Sequence, residues 1–410
     1  MTWMERRLSE RIRVGTLALH HPDGSVTTYG TGQPPHAAIH IHRGRALRRI
    51  ALDPEFMLGQ TYMDGDWTPG PGGLIAVLEV LLRNFPKAAP RGLKAWLLWL
   101  WRPIQQWNRE QAARRNIASH YDLEDWLFRN FLDADMHYSC AYFPEPSADL
   151  ETAQRAKAAH IRRKLLLRPG DRVLDIGCGW GAMALHLARH EKVHVVGLTL
   201  SQEQQRLAQK RIKEAGLEDR IEIRLQDYRE VEGPFERIVS VGMFEHVGTP
   251  FYDTYFDTIR RLLTDDGVAL VHTIGRFNPP GVTNPWIRRY IFPGGYIPAT
   301  SEVTAAIERV GIRMTDIEIL RLHYAQTLAN WQKRFQRIRD QVAGQKSESF
   351  CRMWEFYLAV SEAAFRWRGM MVLQFQLARQ QDAVPLTRDY LYSDESAEHA
   401  QFAVPSRKAS

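Results

Sequence analysis

The sequence predicts an α/β fold built on a doubly wound sheet, with a small α+β unit ahead of it. Three observations carry this. Val173, Leu174 and Ile176 form a short apolar run suited to a buried parallel strand; Gly177, Gly179 and Gly181 then make a turn, and Ala182–Arg189 continues as a helix. Strand-like segments at 172–176, 193–197, 221–225, 236–241 and 267–272 alternate with helical patterns between residue 117 and about 380. The first 85 residues read differently, with short alternating runs separated by turns.

In chain order, residues 14–52 alternate around Val14–Leu19, Val26–Tyr29 and Ile39–His42, with a Pro22-Asp-Gly turn, and predict short antiparallel strands joined by hairpins. His40 and His42 alternate with Ile39 and Ile41 and read as the exposed face of a strand. Leu74, Val77, Leu78, Leu81 and Leu82 lie on one side of a helix over 72–85. Residues 1–85 are therefore taken as one small domain. Pro86 and Pro90 open a linker, 86–116. Residues 83–115 hold eight basic side chains (Arg83, Lys87, Arg91, Lys94, Arg102, Arg109, Arg114, Arg115) against one acid, Glu110, with Trp96, Trp99, Trp101 and Trp107 among them. Such a segment suits a membrane interface. It also suits a linker helix packing its apolar side on its own domain, and the two readings are compatible. The main domain spans 117–390, with a Pro/Gly/aromatic-rich insertion at 276–300 that is too long for a plain connection. A polar tail, 391–410, follows.

Composition bounds the function. Hydrophobic content of 44% and charged content of 25% are ordinary for a globular chain. A net charge of +7 admits an acidic partner, nucleic acid or an anionic membrane surface. Nucleic acid fits poorly, because the basic residues sit among Trp and Leu and no nucleic-acid motif is present. Cys140, Cys178 and Cys351 have no metal spacing and argue for a reducing compartment. The N-terminus lacks the apolar core of a signal peptide. The most apolar stretch, Ala95–Trp101, is far shorter than the roughly 20 residues of a spanning helix. A cytoplasmic protein attached peripherally to the inner face of a membrane is expected.

The glycine turn alone is ambiguous between a nucleotide site and a tight turn. A dinucleotide fingerprint wants Gly-x-Gly-x-x-Gly and an acid about 20 residues on, at the end of the next strand. Here the spacing is Gly-x-Gly-x-Gly, and the next strand runs into Leu198-Thr-Leu-Ser201 without an acid. Asp175 before the turn and Asp227-Tyr228 after the third strand fit S-adenosylmethionine better, and the motif resembles the class I methyltransferase fold, a Rossmann-like sheet.

Several further segments share one resemblance. They are His120–Leu123, His137–Phe143, Val173–Gly181, Gly197–Gln202, Met243–Gly248, Tyr290–Gly295, His323–Leu328, Phe356–Leu358 and Phe365-Arg366, in order across 117–380. The chain resembles the cyclopropane-fatty-acyl-phospholipid synthases and the related mycolic acid cyclopropane synthases, and the 1–85 domain resembles that of the phospholipid-modifying members. The resemblance implies methylene transfer from S-adenosylmethionine to a cis double bond of a phospholipid acyl chain, with bound bicarbonate as anion and base. By motif it assigns Cys140, Glu245, His272, the Ile274 backbone N–H and Tyr324 to the bicarbonate. To the cofactor it assigns Tyr138, Ser139, Asp175, Gly177, Cys178, Gly179, Gly181, Thr199, Leu200, Ser201, Gln202, Gln204, Asp227 and Tyr228.

Each has a plainer alternative. Cys140 can be a small buried hydrophobe and Tyr324 a core tyrosine. Glu245 and His272 follow or end strands at the carboxyl edge where ligands bind, which favours function. His246 reads as a structural residue. Two departures from relatives are Gln60, where many have Glu, and Ser361, where some have Cys; the first touches only a detail of the small domain, and the second argues against an essential thiol there. Rival readings are a methyl- or methylene-branching enzyme, a small-molecule N-methyltransferase and a silent lipid-binding protein. The full set Cys140, Glu245, His272 and Tyr324 argues against the last, and the 1–85 domain against the second. An anionic phospholipid surface is the expected partner, and a homodimer is compatible with the sequence.

Overall fold

The computed structural model describes residues 3–85 and 125–392. The 86–116 linker, its four tryptophans, the His120–Leu123 segment and the tail beyond 392 lie outside the described residues.

The N-terminal unit runs α1 (Trp3–Arg11), β1 (Thr16–His20), β2 (Val26–Gly30), β3 (His36–Ile41), α2 (Arg45–Leu52), α3 (Pro54–Met63), β4 (Trp67–Pro69) and α4 (Gly73–Asn84). Its sheet has the order β2-β1-β3-β4. β1 and β2 form the expected antiparallel hairpin, but β1 and β3 are parallel, with Leu17 opposite Ala37. The reason is burial. β3 sets Ala37, Ile39 and Ile41 beside the buried Leu17 and Leu19 of β1, whereas Val26 on β2 is 53% exposed. Residues 45–52 are helical rather than extended. Asp53 separates α2 from α3 by capping the latter, accepting from the Phe56 N–H at 3.2 Å, with Pro54 in the first turn. Leu74, Val77 and Leu78 on α4 are buried as their spacing predicts. His40 stacks on His20 across the strand pair, ring centroids 4.4 Å apart.

The main sheet has seven strands: β5 (Arg172–Ile176), β6 (His194–Thr199), β7 (Ile221–Leu225), β8 (Phe235–Val241), β9 (Leu263–Arg276), β10 (Arg313–Leu320) and β11 (Met370–Ala378). Their order is β10-β11-β9-β8-β5-β6-β7. β5 to β9 pair in parallel, and β11 runs antiparallel to both neighbours. This is the α/β sheet of the class I methyltransferase type. β10 and β11 were not among the expected strands. β10 carries the polar run Thr315-Asp-Ile-Glu318 at an edge, and β11 interrupts its apolar run with the buried Gln374 and Gln376.

The helices are α5 (Asp125–Phe131), α6 (Leu150–Leu165), α7 (Ala182–His190), α8 (Gln202–Glu214), α9 (Tyr252–Leu262), α10 (Pro285–Tyr290), α11 (Thr300–Val310), α12 (His323–Gln345) and α13 (Glu348–Trp367). α10 lies inside the 276–300 insertion, and with α13 it meets the N-terminal unit. The Tyr62 hydroxyl donates to Glu355 Oε2 at 2.9 Å and the Tyr290 hydroxyl to Gln60 Oε1 at 2.5 Å. Gln60 is thus a link between the two units rather than a detail of the smaller one.

Candidate active site

The cleft opens where β5, β6 and β8 end, at the carboxyl edge of the sheet. β5 delivers Asp175 and Ile176 to its floor. Gly177 has φ +83, and a Cβ there would meet Met243 Cβ at 2.8 Å, so only glycine lets the turn pass that side chain. Gly179 has φ +54 and, among the described residues, nothing within 4 Å of where its Cβ would stand, which leaves room for a ligand against the backbone.

Of the residues assigned to the cofactor, Tyr138, Ser139, Asp175, Gly177, Cys178, Gly179, Thr199, Leu200, Gln204, Asp227 and Tyr228 line this one cleft. Gly181, Ser201 and Gln202 do not: Gly181 caps α7, Ser201 Oγ caps α8 by accepting from the Gln204 N–H at 3.2 Å, and Gln202 is exposed. Thr199 donates to Gln204 Oε1 at 2.7 Å, and Arg229 holds both Asp227 oxygens at 2.7 Å.

Among the other lining residues, not assigned to the cofactor from sequence, are Lys157, Trp180, Met243 and His246. Lys157 is fully buried and donates to Ser139 Oγ at 3.1 Å. Burial pushes its ammonium down to about 8, opposed first by the charge of Asp133. Asp175 is pushed up to about 7 by burial, opposed by Lys157. The available signal for Lys157 is its spacing from His160 and Lys164, which puts three ionisable residues on one face of α6, all buried. His246, read as structural, faces the cleft, with its imidazole pushed down to about 4 by burial.

The residues assigned to the anion come from four segments: the loop holding Cys140, the turn after β8, β9 and α12. β8 and β9 run side by side, with Val241 opposite His272. The turn after β8 therefore sets Glu245 against the end of β9, where its Oε1 accepts from the Ile274 N–H at 2.6 Å. The Ile274 N–H is engaged by Glu245 and not offered outward, a correction to its expected role. Glu245 Oε2 has no hydrogen-bond partner among the described residues, and burial pushes the carboxyl up to about 7, opposed by the Ile274 N–H. His272 is 2% exposed, with Nδ1 3.1 Å from Gln374 Nε2 and Nε2 without a partner among the described residues. Burial pushes this imidazole down to about 3, so it is neutral at ordinary pH.

Cys140 is fully buried, and its Sγ donates to the Ala141 carbonyl at 3.2 Å. Burial pushes the thiol well up, which makes it a small neutral group and not a nucleophile. The next residue, Ala141, donates its N–H to Thr327 Oγ1 at 3.1 Å, one turn along α12 from Tyr324. Tyr324 is half-buried, its ring 4.9 Å from Phe365 and 5.8 Å from Trp331. Lys157 carries charge felt by Asp175 in the cleft and by Cys140 and His272 in the anion group, so it lies electrostatically between the two.

Glu245 Oε2 and His272 Nε2 are both buried and have no partner among the described residues, the first an acceptor when ionised and the second a donor or an acceptor according to the ring's tautomer. Such groups are costly without partners. They match a small ligand that both donates and accepts, as bicarbonate does. Aromatic rings crowd the region: Tyr138, Phe128, Phe131, Trp331 and Trp354 contact one another, and the Tyr138 and Tyr357 hydroxyls lie 2.7 Å apart.

Residues 108–375 match the family described as mycolic acid cyclopropane synthetase. A tuberculostearic acid methyltransferase of Mycobacterium tuberculosis is 39% identical over 381 residues, 89% of this chain and 88% of that protein. A cyclopropane-fatty-acyl-phospholipid synthase of Escherichia coli is 38% identical over 343 residues, 84% of this chain and 88% of that one. A solved mycolic acid cyclopropane synthase complexed with SAH and CTAB superposes with a TM-score of 0.61 at 36% identity, covering 64% of this chain and 97% of that one.

Proposed function

The chain belongs to the mycolic acid cyclopropane synthetase family, and from that premise we propose that it transfers a methylene from S-adenosylmethionine to the cis double bond of unsaturated phospholipid acyl chains. It is an S-adenosylmethionine-dependent enzyme of lipid cyclopropanation or methylation. The phospholipid substrate and the ring product are the proposal.

An isolated alkene is a weak nucleophile, so the sulfonium methyl must be held in line with the π bond. The π electrons form the new C–C bond as the S–C bond breaks. Positive charge is left on the other alkene carbon. Loss of a proton from the transferred carbon then closes the ring. The site must exclude water, which would trap the cation, and aromatic faces such as Tyr324, Phe365 and Trp331 can stabilise it. Cys140, Glu245, His272 and Tyr324 would hold bicarbonate, which when bound supplies a base beside the reacting carbon. Glu245 accepts through Oε2 and His272 donates through Nε2–H, while Lys157 places positive charge within reach of Cys140 and His272.

The observation that carries this reading is two buried groups with no partner among the described residues, Glu245 Oε2 on the turn after β8 and His272 Nε2 on the neighbouring strand β9. Cis-monounsaturated phospholipid vesicles incubated with the protein and labelled S-adenosylmethionine test it. Cyclopropane protons in the product NMR are the expected result, and label in any other acyl structure overturns ring closure. The similarity to a tuberculostearic acid methyltransferase favours a second reading, a branched product formed when the proton leaves a different carbon. Ring and methylene branch have equal mass, so NMR or fragmentation separates them. We also propose that the enzyme works on an anionic membrane surface from the cytoplasmic side. Among the described residues no helix is long and apolar enough to cross a membrane.

A further inference from the structure

The row of side chains behind His272 fixes which of its nitrogens carries the proton. Glu318, Gln374 and His272 are opposite one another across β10, β11 and β9, so their side chains share one face of the sheet. Helix α6 supplies the two groups that meet the outer end of this row. Lys164 Nζ contacts Glu318 Oε2 and donates to Gln374 Oε1 at 2.8 Å, and His160 Nε2 lies 2.6 Å from the same Glu318 oxygen. Lys164 is 1% exposed and Gln374 is fully buried.

Donor and acceptor capacity settles the rest. An ammonium only donates, so the atom of Gln374 facing Lys164 is its carbonyl oxygen, and the amide nitrogen faces His272. That nitrogen also only donates, so His272 Nδ1, 3.1 Å away, must accept. A neutral imidazole that accepts at Nδ1 carries its proton at Nε2. Nε2 is the buried ring nitrogen with no partner among the described residues.

We propose that Gln374, oriented by Lys164 and Glu318, is a positioning residue that holds His272 in the Nε2–H form, so that the ring presents a fixed donor to the anion bound beside Glu245. The inference rests on the anion site proposed above. A second proton at Nδ1 would face an amide N–H, so the row also opposes the doubly protonated ring. The arrangement parallels the outer partners of metal-bound histidines, which set tautomer and ring angle.

The test is nitrogen NMR of the full-length protein with labelled histidine, free of substrate, with the His272 signals identified by their loss in His272→Gln. The wild-type protein should show Nε2 protonated and Nδ1 unprotonated. In Gln374→Glu a carboxylate faces Nδ1 while still pairing with Lys164. The proton should move to Nδ1, and kcat should fall about 10–100-fold with the KM for S-adenosylmethionine unchanged. If that variant does not fold, Lys164→Met frees the amide to turn and should give a mixture of both tautomers. A wild-type ring protonated at Nδ1, or a Gln374→Glu ring that switches tautomer at full turnover, overturns the proposal. If tautomer and kcat change together but turnover ignores added bicarbonate, the positioning role stands and the identity of the anion falls.

Discussion

Glu245 concentrates the chemistry at the scale of one side chain. Its Oε1 is held by the Ile274 N–H, and its Oε2 has no partner among the described residues. Glu245→Gln keeps the shape and removes the charge. Turnover should fall by about 10²–10³, as for loss of one preorganised electrostatic group, with S-adenosylmethionine affinity by calorimetry nearly unchanged. Full activity in the variant would remove Glu245 from the mechanism. The same carboxyl shapes stability. Its folded pKa is raised by burial from 4.5 to about 7. Between these values the native state binds more protons than the unfolded one, so stability falls as pH rises through the window and the loss is complete above about pH 7. A shift of that size is worth about 3 kcal/mol. Without bicarbonate, Glu245→Gln should therefore melt higher than the parent at pH 8, and the gap should close near pH 4.5.

At the scale of an element, the β5–α7 turn separates ligand space from backbone strain. Gly179 and Gly216 have φ of +54 and +63, and neither has an atom of the described residues within 4 Å of a built Cβ. Gly179 lines the cleft and Gly216 does not. Valine at either position incurs a left-handed backbone penalty of about 1–2 kcal/mol. Only Gly179→Val places methyl groups in the cleft. Gly179→Val should abolish S-adenosylmethionine binding in a protein that circular dichroism shows folded, while Gly216→Val binds normally. Equal binding by both would place the cofactor elsewhere.

At the scale of the whole molecule, the N-terminal unit and the sheet domain share one apolar core. Gly59 on α3 faces Phe356 on α13 and Trp286 on α10, and a Cβ there would stand 2.6 Å from the Phe356 ring and 2.7 Å from Trp286 Nε1. Gly59→Val should wedge the units apart. Limited proteolysis should then release the N-terminal unit faster than from the parent, with S-adenosylmethionine affinity retained, since the cleft is built from other elements. The proposed membrane attachment operates at the same scale. The eight basic residues and four tryptophans of 83–115 predict stronger activity on anionic than on zwitterionic vesicles, with each cation worth about 1 kcal/mol and the difference shrinking as salt rises. A variant with Trp96, Trp99 and Trp101 changed to Ser should bind cofactor yet fail to co-sediment with vesicles. Undiminished co-sedimentation would move the anchor to another surface.

The sequence by itself determined the parallel half of the sheet, the glycine turn and most of the cofactor cleft. Those features are local: an apolar run, a turn needing positive φ, and residues at the ends of consecutive strands. Its motifs also named Glu245 and His272. Tertiary structure alone decided how these residues are wired. The Ile274 N–H meets Glu245 because β8 and β9 pair side by side. Lys157 and Lys164 turn inward because buried acceptors at Ser139 and Gln374 await them. β3 joins β1 in parallel, and β10 and β11 complete the sheet, because burial and register outweigh local pattern. A hydrogen bond between Gln374 and His272, 102 residues apart, leaves no periodic trace along the chain, since it depends on which strands become neighbours.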